Sequence, residues 1–377
     1  MKKKYVVMML AVSMLALSAC AKENNTADTC SCTCAGCADC VYKQEAMETQ
    51  TTVEDAEDVF MQEAVPAAEA VNEESLQQEE AASQTESVTT QQEEQQTVAD
   101  VPVAELTEGE KAARKEQQAN FATAREQLYS MDNSLEKTQK INEIDKQILA
   151  NNSFDFSTKT IQFLGDSITE GICGAKADNS DYISYVNYVN DYLQFANCMN
   201  NGKAGRMFSD YAGEELSFSL NMGNMFNNSA DISVIFLGVN DYLTNRENKR
   251  YGDYYATEST AGYVGSLRYT MKQLKANYPN QEVFFVTMYN MSKTANSTYT
   301  DTTTSPQLAE YLDMLRKVVN DYGYHLIELY DTGFMDCTDS ATSNTYTADG
   351  LHPADSGNRI LGEHIAAELS LYYSQKQ

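Results

Sequence analysis

Ser167 stands at the end of an apolar run, Thr160-Ile161-Gln162-Phe163-Leu164, that is stopped abruptly by Gly165-Asp166. Such a run reads as a buried strand that ends in a tight turn, and Asp166 or Ser167 can cap the helix that follows. A serine so placed lies at the carboxyl end of its strand, where open α/β sheets gather their chemistry. Taken alone, Gly-Asp-Ser is also ordinary turn chemistry. Three more stretches give the serine its meaning.

Near the end of the chain, Asp349-Gly350-Leu351-His352-Pro353 puts a carboxylate three residues before an imidazole. In a tight turn that spacing lets the carboxylate reach Nδ1 and leaves Nε2 facing outward. Gly238-Val239-Asn240-Asp241 follows a second strand-like run, and Asn201-Gly202-Lys203-Ala204-Gly205-Arg206 follows a third, with glycines where backbone can approach a ligand. A serine hydroxyl is a weak nucleophile that needs a base within hydrogen-bond reach, and a tetrahedral oxyanion needs preorganised donors. An asparagine amide is suited to the second task because it carries no charge and loses no proton. The set therefore supports acyl transfer.

The chain has three histidines, which narrows the choice of base. His325 falls in a predicted strand and is expected to be a packed core residue; His364 falls in the last helix and is expected at a surface or cap position. Neither has an aspartate at turn spacing. No Gly-x-Ser-x-Gly surrounds Ser167, which excludes the nucleophile elbow of α/β-hydrolases. The domain has no His-Glu-x-x-His pair or other zinc pattern, so the chemistry is expected to need neither metal nor other cofactor. Cys173 follows the serine turn closely enough to line the site, but Cys173, Cys198 and Cys337 are each expected to be small apolar filler.

These residues need a frame. Strands are expected at 160–165, 196–200, 232–237, 282–287 and 324–329, and helices at 182–195, 214–226, 261–277, 306–322 and 354–373. Alternation with helix-length crossovers implies a parallel sheet covered on both faces, a three-layer α/β/α sandwich.

Together the four blocks, in order over about residues 158–373, resemble the SGNH (GDSL-type) hydrolase family, named for its Ser, Gly, Asn and His. The resemblance implies a flavodoxin-like sheet of five parallel strands. It also implies that Ser167 is the nucleophile, His352 its base, and Asp349 the residue that orients the imidazole. The oxyanion hole would comprise the Ser167 and Gly205 N–H groups and the Asn240 side-chain amide.

The rest of the chain looks different. Met1 to Ala19 has three lysines and then a short apolar run, the form of an export signal. Its end, Leu17-Ser18-Ala19-Cys20, resembles the lipobox of bacterial lipoproteins. That resemblance makes Cys20 the lipidated first residue of a protein held at the outer face of the cytoplasmic membrane; a plain secretory leader is the alternative. Residues 20–40 include five thiols in eleven positions, Cys30 to Cys40, with no spacing that defines a tetrahedral metal site; a redox-sensitive or metal-scavenging tag is preferred.

Residues 41–106 form an acidic, Gln- and Glu-rich arm. From Val41 to Glu110 nineteen acids face the single Lys43, so this stretch is expected to be a disordered tether. The formal charge of the chain, −28, argues against nucleic acid as a partner. Residues 107–157 are expected to form a stalk of two helices, about 108–131 and 134–150. Thr107 to Glu110 and Asn133 to Glu136 each have the capping-box form. Phe121, Ala124, Leu128, Met131 and Leu135, then Ile141, Ile144 and Ile148, recur at helical spacing. That stripe suits docking on the 158–377 domain or pairing with another copy equally well.

For the substrate, Tyr242, Tyr251, Tyr254 and Tyr255 stand among polar residues, and 290–305 is rich in Thr, Ser, Asn and Tyr. Interleaved tyrosines suit sugar rings better than long acyl tails. The expectation is a small acyl group, acetyl, on a carbohydrate or cell-wall glycan. A lysophospholipase or short-chain lipase, or an idle glycan-binding lipoprotein, are the alternatives.

Overall fold

A computed structural model describes residues 102–176, 182–244, 251–252, 258–293, 295–296 and 307–376. The leader, Cys20, the cysteine cluster, most of the acidic arm, and Tyr254 and Tyr255 lie outside the described residues. After a short 3₁₀ turn, Val103–Glu105, comes α1 (Glu108–Leu128). Thr107 opens it with a full capping box: its Oγ1 accepts from the Glu110 N–H at 3.3 Å, and the Glu110 carboxylate accepts from the Thr107 N–H at 2.8 Å.

The second helix, α2 (Leu135–Ala150), starts otherwise than expected. Ser134, not Asn133, is its cap, accepting from the Lys137 N–H at 3.2 Å, and no capping box forms. Tertiary partners claim Asn133 instead. Its Nδ2 donates to Asp336 at 2.5 Å and its Oδ1 accepts from Lys137 Nζ at 2.9 Å. Glu136 pairs with Lys140 one turn on.

The sheet strands are β1 (Thr160–Gly165), β2 (Asn197–Gly202), β3 (Ile232–Phe236), β4 (Glu282–Val286) and β5 (His325–Ile327). All pairs are parallel, in the order β2-β1-β3-β4-β5. This five-stranded sheet, flanked by helices, is the expected α/β sandwich. Every residue of β3 is buried, as are all but the first of β1 and β4, which is why their sequences are nearly unbroken apolar runs. The edges differ: β2, Asn-Cys-Met-Asn-Asn-Gly, is half-exposed, and β5 is short.

The helices are α3 (Ser167–Glu170), α4 (Tyr185–Leu193), α5 (Phe218–Met225), α6 (Val239–Thr244), α7 (Tyr263–Asn277), α8 (Leu308–Tyr322), α9 (Ser340–Tyr346) and α10 (Asp355–Gln375). Helices α4 and α5 begin later than the apolar pattern suggests, at Ser184 and Ser217, because each serine caps the backbone there. Helices α3, α6 and α9 are too short to show a period. No described helix is long and apolar enough to cross a membrane.

The helix pair α1–α2 does not stand off as a stalk; both helices pack on α10. Ile141 and Ile148 are fully buried in the core of the sandwich, but Phe121, Leu128, Leu135 and Ile144 are only partly so. Polar side chains hold much of the contact. Gln118 Nε2 donates to Ile148 O at 3.0 Å and Ser370 Oγ at 2.7 Å, and Asn142 Nδ2 donates to Glu363 at 2.5 Å. Arg125 donates to Asp145 at 2.5 Å and also to Glu368.

Candidate active site

The register of the sheet decides what can meet. Gly165, the last residue of β1, is paired with Gly202 on one side and Phe236 on the other. Three loops, 166–167, 203–206 and 237–241, thus leave neighbouring strand ends at the point where the connections diverge to opposite sides of β1. Gly165 is required there, because a Cβ would stand 1.8 Å from Thr169 Oγ1 and 2.9 Å from the Phe236 carbonyl.

Ser167 is the first residue of α3, capped by Asp166, whose carboxylate accepts from the Ile168 N–H at 3.0 Å. Ser167 Oγ lies 2.9 Å from His352 Nε2, and His352 Nδ1 lies 2.7 Å from Asp349 Oδ2. A carboxylate can only accept, so Nδ1 donates and Nε2 is left to accept the serine proton. Asp349 Oδ1 meanwhile accepts from the Leu351 and His352 N–H groups at 2.9 and 2.7 Å. Burial pushes the Asp349 carboxyl up, but the hydrogen bonds from the His352 ring and backbone more than offset it and hold the group below the usual carboxylate range.

The loop that carries the pair is itself pinned. The buried Tyr289 hydroxyl donates to the Leu351 carbonyl, and Ser292 N–H donates to the Gly350 carbonyl at 2.9 Å. Gly350 has φ +82°, and a Cβ there would lie 1.9 Å from Ser292 Oγ. Only glycine fits.

Asn240 and Ser167 line the same cleft, about 470 Å³ in volume, with Ile168, Tyr211, Val239, Leu243, Thr244, Leu351 and His352. One N–H of the Asn240 amide donates to the Arg206 carbonyl at 3.0 Å. An amide nitrogen carries two hydrogens, so the other is free to serve a ligand. Gly205 is not among the lining residues; it reaches the site through its neighbour Arg206, whose carbonyl holds Asn240. Its φ of +79° is one that L side chains rarely adopt.

Two side chains that sequence reasoning left without a role organise this cleft. Asp241, buried, accepts from the Phe208 and Ser209 N–H groups at 2.8 and 3.0 Å and so ties the 203–209 segment to the helix bearing Asn240. Arg206, also buried, donates to the carbonyls of Gly165, at 3.3 Å, and Asn201. Burial raises the Asp166 carboxyl to about 7 and that of Asp241 to about 6. The only sequence signal for either was position, a carboxylate just after Asn240 and a cation just after Gly205.

Three other expectations are corrected. Tyr242 and Tyr251 are no platform: Tyr242 is buried against Tyr311, with ring centroids 5.4 Å apart, and Tyr251 packs on Tyr263 and Tyr311. Among the described residues that line the cleft, the exposed aromatic is Tyr211. His364 is buried, 2.7 Å from Asp145 and stacked on Phe334, because α1 and α2 cover the face of α10 that carries it. His325 is half-exposed on the edge strand, 3.0 Å from Glu282.

A parallel five-stranded sheet whose carboxyl edge gathers serine, imidazole and carboxylate defines the class as an α/β hydrolytic enzyme fold. The model of the GDSL-like lipase/acylhydrolase family matches residues 163–360, more than half of the chain, and the chain belongs to that family. No curated protein matches it. One solved structure is similar at 23% identity over 58% of this chain and 98% of its own, with a TM-score of 0.50, a likeness of fold. A protein from Lactobacillus plantarum is similar at 22% identity, over 56% of this chain and 97% of its own, with a TM-score of 0.48. An acetylxylan esterase from Geobacillus stearothermophilus is similar at 16% identity, over 57% and 96%, with a TM-score of 0.41.

Proposed function

We infer that this acylhydrolase is a serine esterase that works through an acyl-enzyme, with Ser167 as nucleophile, His352 as general base and then acid, and Asp349 as the group that orients His352. The observation that carries this reading is the unbroken run of contacts from Ser167 Oγ through both ring nitrogens to Asp349, 2.9 and 2.7 Å. Ser167 attacks the ester carbonyl as its proton passes to Nε2; the same proton then goes to the leaving alcohol, and water repeats the sequence on the acyl-enzyme. The Ser167 N–H and the spare Asn240 N–H stabilise the oxyanion, with Gly205 contributing its N–H or holding Asn240 through Arg206. The chemistry rests on the chain's own side chains and backbone N–H groups and calls for no metal.

The substrate reading is a small acyl group, acetyl, on a carbohydrate or cell-wall glycan. Its support is the modest cleft and the half-exposed Tyr211 in its lining, an aromatic of the kind that sugar rings pack on. Ile168, Val239, Leu243 and Leu351 give the cleft an apolar side, which favours a short-chain lipase or lysophospholipase as the second reading. The leader and its Leu-Ser-Ala-Cys end support attachment through lipid on Cys20 to the outer face of the cell membrane.

The test is rate against acyl length, with p-nitrophenyl acetate, butyrate and palmitate, together with labelling by a fluorophosphonate. Acetate is expected to be fastest, and Ser167→Ala is expected to lose both turnover and label. Preference for palmitate would transfer the reading to a lipase. Undiminished turnover in Ser167→Ala would end the serine mechanism.

A further inference from the structure

Cys173 lies six residues past the nucleophile, and its backbone has φ +71°, a left-handed conformation costly for a residue with a Cβ. It is held there with its thiol beside the relay. The Cys173 Sγ, one Asp349 oxygen and one His352 ring nitrogen all lie within 4.8 Å of one another. Asp349 is exposed and the other two are half-buried, so the cluster is open to small solutes.

Thiolate, imidazole and carboxylate are three ligand types that together suit zinc, with water in a fourth position. Ligand atoms at about 2.0 to 2.3 Å from a tetrahedral zinc stand about 3.3 to 3.6 Å apart. The 2.7 Å Asp349–His352 contact has to open by about half an ångström, and the thiol, within 4.8 Å of both, has to close by at most about 1.5 Å, within the reach of side-chain rotation.

We propose that Cys173, Asp349 and His352 form an inhibitory site for Zn²⁺ or a similar thiophilic divalent cation, built onto the relay itself. This rests on the serine-esterase reading, because the consequence is chemical. Binding releases the thiol proton to solvent and takes a lone pair from the imidazole. With Asp349 on the Nδ1 side of the ring, the metal takes Nδ1; the hydrogen bond to Asp349 is lost and the neutral ring carries its proton on Nε2, which then cannot accept from Ser167. That silences the base.

The experiment uses the full chain with ZnCl₂ as the probe and two readouts. One is the rate of p-nitrophenyl acetate hydrolysis with and without zinc, followed by a chelator. The other, independent of turnover, is the rate at which iodoacetamide alkylates Cys173, read on its own peptide by mass spectrometry. Zinc is expected to slow hydrolysis reversibly and to protect Cys173. In Cys173→Ser the zinc concentration for half-inhibition, taken relative to that variant's own rate, should rise by at least about tenfold. Cys198→Ser, altered on the edge strand, should keep the sensitivity of the parent. Equal zinc sensitivity in Cys173→Ser and the parent, or alkylation of Cys173 unaffected by zinc, would overturn the proposal while leaving the esterase reading intact. Should no ester be turned over, the alkylation readout still decides whether the site exists.

Discussion

The chain contains the same pair of side chains twice, and the two copies have opposite surroundings. Asp349 lies 2.7 Å from Nδ1 of His352, and Asp145 lies 2.7 Å from Nδ1 of His364. Both aspartates are held below the usual carboxylate range. For Asp145 burial opposes this, but the neighbouring His364 and Arg125 outweigh it. What differs is everything beyond the ring. In the cleft, Nε2 of His352 meets a serine hydroxyl, and the side chains are 17% and 35% exposed. Under α1 and α2, the ring of His364 lies flat on Phe334, centroids 4.3 Å apart, the second oxygen of Asp145 is occupied by Arg125, and exposure is 1% and 0%. An Asp–His pair can therefore act as a base only when its far nitrogen faces a proton to move; enclosed as Asp145–His364 is, it is a buried clamp.

Substituting the two aspartates in turn is the sharpest way to break this contrast. Asp349→Asn should lower turnover by roughly four decades, because the amide favours the wrong tautomer of His352 while leaving the loop in place. Its melting temperature should move little. Asp145→Asn should do the reverse, costing about 3 kcal/mol or more in stability by leaving Arg125 and His364 without their shared anion, with the folded fraction still active. Thermal denaturation and p-nitrophenyl acetate rates on both variants decide it; a large loss of turnover with normal stability in Asp145→Asn would erase the distinction.

A smaller effect separates scaffold from chemistry within the cleft. Gly205→Ala meets no backbone, its nearest neighbour being Leu216 Cδ1 at 3.4 Å, but it must adopt φ +79°. The expected cost is about 1 kcal/mol in stability, with a larger proportional fall in kcat than in KM as the Arg206 carbonyl that holds Asn240 shifts. Equal kcat for the variant and parent would remove Gly205 from the oxyanion site.

A further effect is one of pH. Asp166 is raised by burial to about 7, well above its unfolded value, so the folded chain holds this proton more tightly than the unfolded one. Stability from this group is fully present below about pH 4 and declines as pH rises towards 7, the direction opposite to Asp349 and Asp145. Asp166→Asn should flatten that decline, measured as denaturant midpoints between pH 5 and 8. An unchanged slope would show that Asp166 is ionised throughout.

How much of this was legible depended on the distance over which each feature is specified. The three inner strands were readable because a strand buried on both faces must be apolar along its length, and Ile232–Phe236 has no other use. Ser167, Asp349 and His352 were readable because each is marked by a turn a few residues long. The roles of Arg206 and Asp241 were not, since their partners are carbonyls and N–H groups on other segments. Tyr242 and Tyr251 misled for a related reason: a tyrosine has the same letter whether its ring stacks on a sugar or, as here, on Tyr311.

The order of residues alone determined an alternating α/β chain and a serine, an asparagine and an Asp–His turn at its strand ends, because local backbone preference and apolar periodicity act over a few residues. Tertiary structure decided which histidine faces a hydroxyl and which faces a phenyl ring. It also decided that α1 and α2 are seated on α10, and that Cys173 stands beside the relay. Those outcomes come from contacts between residues tens to hundreds of positions apart, where burial and hydrogen-bond partners, which no short stretch encodes, set what each side chain can do.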